Sequence, residues 1–417
     1  MTALKINKDR LWNSLMEMAK IGETPKGGVC RLALTDLDGQ SRSLFKSWCE
    51  EAGMTVSVDR VGNIYARRPG RDPSLAPVVT GSHLDSQPTG GRFDGVYGVL
   101  AGLEVVRSLN DNDIETDAPV EVAVWTNEEG SRFSPAMMGS GVFAGAFTLQ
   151  EILDKTDEDG KRFGDELAAI GDAGDRDPTD HPMTAYFEAH IEQGPILEKE
   201  ELPIGVVTGG QGQRWYEATV TGMESHAGPT PMPIRKDALV SASKLVQAVN
   251  RIGHDFAPNA CTTVGHMQVR PNSRNVIPGE VFLTIDMRNP DDDTLSAMDA
   301  ALRAAVSSIQ EEDGVGIALK DFWYFAPTPF DETLLDRVRA GAKAHDLPNR
   351  DMVSGAGHDA VYVARKAPTA MIFVPCENGI SHNEVENAAP EDIEAGCNVL
   401  CHAMMETAGW RKAGHNR

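Results

Sequence analysis

Basic residues are in short supply in this 417-residue chain, where 39 lysines and arginines face 62 aspartates and glutamates for a formal net charge of −23. That balance excludes the basic footprint expected of a nucleic-acid-binding surface. Cysteine is scarce as well, with six in the whole chain, and no disulfide-dense pattern is present. Cys397 and Cys401 stand at helical spacing, as packed core residues do. No apolar run reaches the length that spans a bilayer, and no signal-type apolar block opens the chain. Leu11, Leu15, Met16 and Ala19 instead recur as one face of an amphipathic helix. Internal repeats and long low-complexity segments are absent. These absences lead to the expectation of a soluble cytoplasmic protein with no nucleic-acid or membrane partner, and 41% hydrophobic residues suffice for a large core in more than one domain.

What the chain does have is chemistry at the ends of apolar runs. Val122-Ala123-Val124-Trp125-Thr126-Asn127 leads into Glu128-Glu129-Gly130. By itself a Glu-Glu pair reads as a solvated corner. In a metal-dependent hydrolase, however, one carboxylate holds metal while its neighbour takes a proton from bound water. Upstream, Ala76 to Thr80 reads as a short buried strand followed by Gly81-Ser82-His83-Leu84-Asp85. His83 and Asp85 then fall just past a strand's carboxyl end, where open α/β sheets place their sites. Alternation would turn both side chains the same way, with His83 as a ligand and the Asp85 carboxylate orienting its ring. Asp94 precedes the periodic segment Val96, Val99, Leu100, Leu103, Val105, Val106, so it is either a further ligand or the N-cap of a helix.

Four more histidines lie in turn-like surroundings: His190 before Ile191-Glu192-Gln193-Gly194, His226 in Ser225-His226-Ala227-Gly228, His358 in Gly357-His358-Asp359, and His382 in Ser381-His382-Asn383. Singly, each reads as an ordinary structural histidine. Together with the acids they offer His83, Asp94, Glu129, His190 and His382, an imidazole and carboxylate shell suited to zinc, manganese, cobalt or nickel rather than calcium. With one carboxylate shared, five ligands hold two metals.

The order of elements predicts two domains. Strands alternate with helical stretches from Ala76 to Val207, an α/β pattern, until Gly209-Gly210-Gln211-Gly212 marks a hinge. Then come a strand at Arg214 to Thr221, a helix at Arg235 to Ile252, strands at Cys261 to Arg270 and Glu280 to Arg288, a helix at Asp293 to Gln310 and a strand at Val315 to Tyr324. This is the β-α-β-β-α-β, ferredoxin-like order. It reads as an insertion at 213–327 into a domain made of 1–212 and 328–417, because His358 and His382 rejoin the first site. Asp154 to Asp180, rich in acids, reads as a solvated excursion.

The motifs from Gly81 to Glu386, taken in order, closely resemble the allantoate amidohydrolase and N-carbamoyl-amino-acid hydrolase family, within the clan of dinuclear-metal aminoacylases and carboxypeptidases. The resemblance implies a mixed-sheet, metallo-aminopeptidase-like α/β catalytic domain with an inserted lid and dimerisation domain. It implies that His83 and His190 hold one divalent metal, that Glu129 and His382 hold the other, that Asp94 bridges them, and that Glu128 is the general base. His226 would polarise the scissile carbonyl from the partner subunit of a homodimer, Arg288 would clamp the substrate carboxylate, and Gln193, Asn275 and His358 would contact substrate. Asp85 matches the position behind the His83 ring. The acidic surface repels an anionic substrate, so Arg288 or the metals must supply the attraction. The stretches Ser86 to Asp94 and Pro135 to Ser140 look closer to N-carbamoyl-amino-acid hydrolases and β-ureidopropionases than to allantoate amidohydrolases. The expected activity is hydrolysis of the ureido C–N bond of a small α- or β-carbamoyl acid. An allantoate amidohydrolase, or an aminoacylase or dipeptidase of the same clan, is the alternative.

Overall fold

The computed structural model describes residues 4–413. Its chain forms two units, Gly210–Thr328 and the residues on either side of it. Among the described residues no helix is long and apolar enough to cross a membrane.

In the larger unit one mixed sheet runs Thr55–Val58, Ile64–Arg68, Val120–Trp125, Val78–His83, Ala185–Ile191, Thr369–Val374, Ile204–Gly210 and Thr328–Pro329, with Asn349–Ser354 beside Ile204–Gly210. The four central strands are mutually parallel, and every residue in them is buried. Burial on both faces is why they read as unbroken apolar runs rather than as alternating ones. Antiparallel strands flank them on both sides. Helices Lys8–Ala19, Val96–Asp111 and Pro390–Ala408 pack on one another, with Cys397 and Cys401 buried in the last. The buried Glu104 carboxylate binds Arg10 at 2.7 Å and ties the first two together.

Parallel strands end together, and this brings the site into one place. The first central strand runs on to His83, past the expected end at Thr80, because His83 is itself in register with Trp125 of the neighbouring strand. Phe373 is in register with His190 in the same way. His83, the Asn127–Glu129 corner, His190 and the loop carrying His382 therefore leave the sheet at its carboxyl edge.

The smaller unit holds strands Gly212–Thr221, Cys261–Arg270, Glu280–Asn289 and Gly316–Phe325 and helices Ala238–Asp255 and Asp292–Asp313. Its sheet order is Cys261–Arg270, Glu280–Asn289, Gly212–Thr221, Gly316–Phe325, antiparallel throughout. Val281, Leu283, Ile285 and Met287 alternate into a core with Leu245, Val249, Met298 and Leu302 from the helices. Gly212 lies in extended backbone, and a Cβ there would meet Pro327 at 2.5 Å, so close approach accounts for this glycine.

The acid-rich stretch differs from the expected solvated excursion. Phe163 and Leu167 close a small core with Val61, Phe133, Met138, Val142 and Ile152. Asp172 is buried as well, bonded by Arg42 at 2.6 Å and by Lys46. A few well-placed apolar residues and one paired acid anchor a segment whose average composition is polar.

Candidate metal centre

Asp94 sits at the middle of the site. Oδ1 lies 3.2 Å from His190 Nε2 and 3.7 Å from His83 Nε2, and Oδ2 lies 3.4 Å from His382 Nε2. The N-cap reading of this residue fails: the helix Val96–Asp111 is capped by Gly95, with no side-chain bond. Gly95 has φ +68° and packs under the His83 ring, where a Cβ would meet it at 2.3 Å. On the other side, Glu129 Oε2 is 3.5 Å from His382 Nε2. Two sets of ligand atoms result, His83 with Asp94 and His190, and Asp94 with Glu129 and His382, each within 4.8 Å of one another. Asp94 belongs to both. Imidazoles and carboxylates in this number suit a divalent transition ion.

Backbone contacts fix the rings. His83 Nδ1 is 2.9 Å from the Asp85 carbonyl, and His190 Nδ1 is 2.9 Å from the Ile191 carbonyl, so each Nε2 is left to face Asp94. This corrects the part expected of the Asp85 carboxylate. It stands 3.9 Å from His83 Nδ1 and instead accepts the backbone N–H groups of Glu128 and Glu129, each at 3.2 Å. Asp85 lies beyond the strand's last residue, where strict alternation no longer governs its direction. It holds the acidic corner rather than the ring.

Glu128 Oε2 is 3.5 Å from His83 Nε2. Burial first, then the charges of Asp359, Glu129, Asp85 and Asp94, push its carboxyl well above the ordinary value. Burial, then Asp94, raises Glu129 to about 8. Burial works against the Asp94 carboxylate too, yet hydrogen bonds with His190 and His382 hold its carboxyl well below the ordinary range. So many buried acids repel one another, and divalent cations offset that repulsion.

Several side chains at the centre carried no readable signal in the sequence. Glu386 accepts the backbone N–H groups of Phe93 and Asp94 at 3.0 and 3.1 Å and the Ser381 hydroxyl at 2.9 Å. Gln87 donates to Glu129 from its backbone and its amide, at 3.2 and 2.7 Å. Glu188 joins His190 and His358 in a third close group. Its oxygens, however, are taken by Ser82 Oγ, Tyr186 Oη and the Ala360 N–H.

The residues expected to contact substrate are divided between the units. In the larger one, Gln193 donates its amide to Asp94 Oδ2 at 3.0 Å, and the His358 ring is buried with its centroid 4.5 Å from that of His190. In the smaller one, His226 and Asn275 lie side by side: His226 pairs with Val276, and the Asn275 carbonyl accepts the Ala227 N–H at 2.9 Å. The Gly228 N–H donates to His226 Nδ1 at 3.1 Å, which puts the ring proton on Nε2, free to donate. Arg288 forks onto Asp286, two residues before it on the same strand, at 2.8–3.2 Å.

The sequence and the fold have known counterparts. Residues 79–406 match the model of peptidase family M20/M25/M40. Over 404 residues the chain is 51% identical to an N-carbamoyl-L-amino-acid amidohydrolase of Rhizobium meliloti, covering 97% of both proteins. It is 33% identical over 410 residues to a ureidoglycolate hydrolase of Arabidopsis thaliana, covering 96% of this chain and 86% of that one. Among solved structures, a hydantoinase/carbamoylase family amidase from Burkholderia multivorans superposes with a TM-score of 0.95 at 63% identity, covering 97% of this chain and 98% of the other.

Proposed function

Because the chain belongs to peptidase family M20/M25/M40, we propose that it hydrolyses the ureido C–N bond of N-carbamoyl amino acids, giving amino acid, carbon dioxide and ammonia. The observation that carries this reading is Asp94 shared between two ligand sets beside the buried Glu128. The 51% identity to a carbamoyl-amino-acid amidohydrolase supplies the substrate class.

His83 and His190 would hold one divalent transition ion and Glu129 with His382 a second, Asp94 serving both. Such ions, when bound, acidify water and polarise a carbonyl. Glu128 then takes the proton of the attacking water and returns it to the leaving nitrogen. Its buried, acid-crowded position raises its affinity for a proton, and divalent cations held by the neighbouring ligand sets would offset that crowding and leave it the carboxylate that a general base must be. His226 Nε2–H would stabilise the oxyanion, a contact typically worth about 3–4 kcal/mol. Arg288 offers its fork to the substrate carboxylate, with Gln193, Asn275 and His358 as further contacts. The enzyme would act as a cytoplasmic homodimer, with His226 crossing to the partner's site.

A single panel tests the reading. Metal-loaded protein is incubated with N-carbamoyl-L-amino acids, N-carbamoyl-β-alanine, allantoate, N-acetyl-amino acids and a dipeptide, and ammonia and free amine are measured. The expected result is ammonia with amino acid from the carbamoyl compounds. Turnover confined to N-acetyl-amino acids or the dipeptide would overturn it, and turnover confined to allantoate would move the enzyme to the allantoate amidohydrolases.

A further inference from the structure

The strands Val78–His83 and Ala185–Ile191 carry His83 and His190 at their carboxyl ends, yet the register between them runs only from Val78 with Ala185 to Thr80 with Phe187. Both histidines lie three residues beyond that last pair. On its outer side each is still held, His83 by register with Trp125 and His190 by register with Phe373. Between them the ladder stops where the helix Val96–Asp111 comes in: a Cβ on Gly98 would meet the Ala189 carbonyl oxygen at 2.4 Å and the Ser82 Cβ at 2.9 Å. The spacing of His83 and His190, two members of one ligand set, is therefore set beyond the reach of that ladder.

Glu188 bridges that gap. Its carboxylate accepts the Ser82 hydroxyl at 2.8 Å, which ties the residue before His83 to the residue two before His190. The side chain is buried and is fixed from two further directions. It accepts the Ala360 N–H at 3.0 Å and the Tyr186 hydroxyl at 3.1 Å, and the Tyr186 oxygen in turn accepts Trp125 Nε1–H at 2.9 Å. A buried carboxylate whose donors are all in place is a rigid stop rather than a loose contact. Glu188 also offers an oxygen within 4.8 Å of ligand atoms of His190 and His358. However, His190 turns Nε2 to Asp94 and Nδ1 to the Ile191 carbonyl, so its ring has no nitrogen left for a further ion.

We propose that Glu188 is the positioning residue of the first ligand set: by holding Ser82 it fixes the distance between His83 and His190, and it touches neither the ion nor the substrate. This rests on the reading of two ion sites above and goes beyond it, because it makes the two sets respond separately. Among the described residues no hydrogen bond links Glu129 or His382, the remainder of the second set, to Ser82 or Glu188. Loss of the tie should therefore be felt by one ion and not by the other.

The test uses the full-length protein in two backgrounds, Glu129→Gln, which leaves the first set intact, and His83→Ala, which leaves the second. Zinc affinity is read in each by elemental analysis after dialysis against graded chelator, with and without Ser82→Ala, Glu188→Gln and Glu188→Ala. In the Glu129→Gln background Glu188→Ala should weaken zinc binding about tenfold to a hundredfold, the usual effect of losing a partner that orients a ligand. Ser82→Ala should act in the same direction, and it carries the test should Glu188→Ala fail to fold. Glu188→Gln should stay closer to the background, because the amide keeps the shape and one acceptor oxygen while the Ser82 hydroxyl turns from donor to acceptor. In the His83→Ala background none of the three should change zinc binding. Equal weakening in both backgrounds would mean a general loosening and overturns the role, as does zinc binding in Glu129→Gln that ignores Ser82→Ala. If Glu188→Gln loses zinc as fully as Glu188→Ala while Ser82→Ala loses none, Glu188 is itself a ligand and the positioning role falls. A background that holds no zinc at all overturns the reading of two separate sets and this role with it, whereas the other failures leave that reading standing.

Discussion

The Glu386 carboxylate accepts the backbone N–H of Asp94 at 3.1 Å, and so holds the residue common to both ligand sets through the main chain rather than the side chain. The approach is possible because Gly91 has no side chain: a Cβ there would stand 2.0 Å from the Glu386 carboxyl. Glu386→Ala should therefore weaken metal binding by about tenfold to a hundredfold, the usual effect of losing a partner that orients a ligand. Gly91→Ala should act in the same direction by displacing Glu386. Elemental analysis after dialysis against graded chelator checks both, and undiminished metal retention in Glu386→Ala would remove this role.

Glu128 and Glu129 are adjacent, yet they should separate cleanly. Only Glu129 shares a ligand set with His382. Glu129→Gln should lower metal occupancy, whereas Glu128→Gln should keep it and lose about a hundredfold to ten-thousandfold in kcat, the usual range for a general base. Equal metal loss in both variants would reverse or merge the assigned roles.

Acid stability should depend on the buried Asp172. Burial raises its carboxyl, but Arg42 and Lys46 outweigh this and hold it below the ordinary value. A carboxyl depressed on folding contributes stability that is fully present above its unfolded value, about pH 3.9, and is lost as the pH falls through the lower folded value. Asp172→Asn should thus cost about 3–5 kcal/mol at pH 7, since it leaves the buried Arg42 without its partner. The variant should also unfold with a shallower pH dependence below about pH 4. Urea denaturation at a series of pH values measures both effects, and parallel curves for parent and variant would show that Asp172 does not set the acid limb.

Much of this was legible in the sequence for definite reasons. The central strands, buried on both faces, stand out as apolar runs, and the βαββαβ order of the smaller unit survives as alternating periods with boundaries displaced by a few residues. His83, Asp94, Glu129, His190 and His382 are readable because each adjoins a strand end or a glycine-rich turn. Glu386 and Glu188 were not, because their partners lie far away in the chain: Glu386 binds Phe93 and Asp94, and Glu188 binds Ser82 and Ala360. No local pattern encodes such pairings. The position of Asp85 just past a strand end is legible, but its contact is not, since periodicity predicts a direction only while the strand lasts.

The final prediction concerns His226, which sits in the smaller unit with Nδ1 engaged by Gly228 and Nε2–H free to donate. If it serves the partner's site, His226→Ala and Glu128→Gln should each abolish most activity as homodimers. In a mixed dimer, the subunit that keeps Glu128 receives an intact His226 from its partner, while the other site lacks both groups. One of the two sites should therefore recover, and differently tagged chains purified as heterodimers should regain about half the parental rate. Arg288→Ala in the same background should chiefly raise KM, because a carboxylate clamp acts in the ground state and the transition state alike. Heterodimers of verified composition that stay as inactive as either parent variant would confine His226 to its own chain's site.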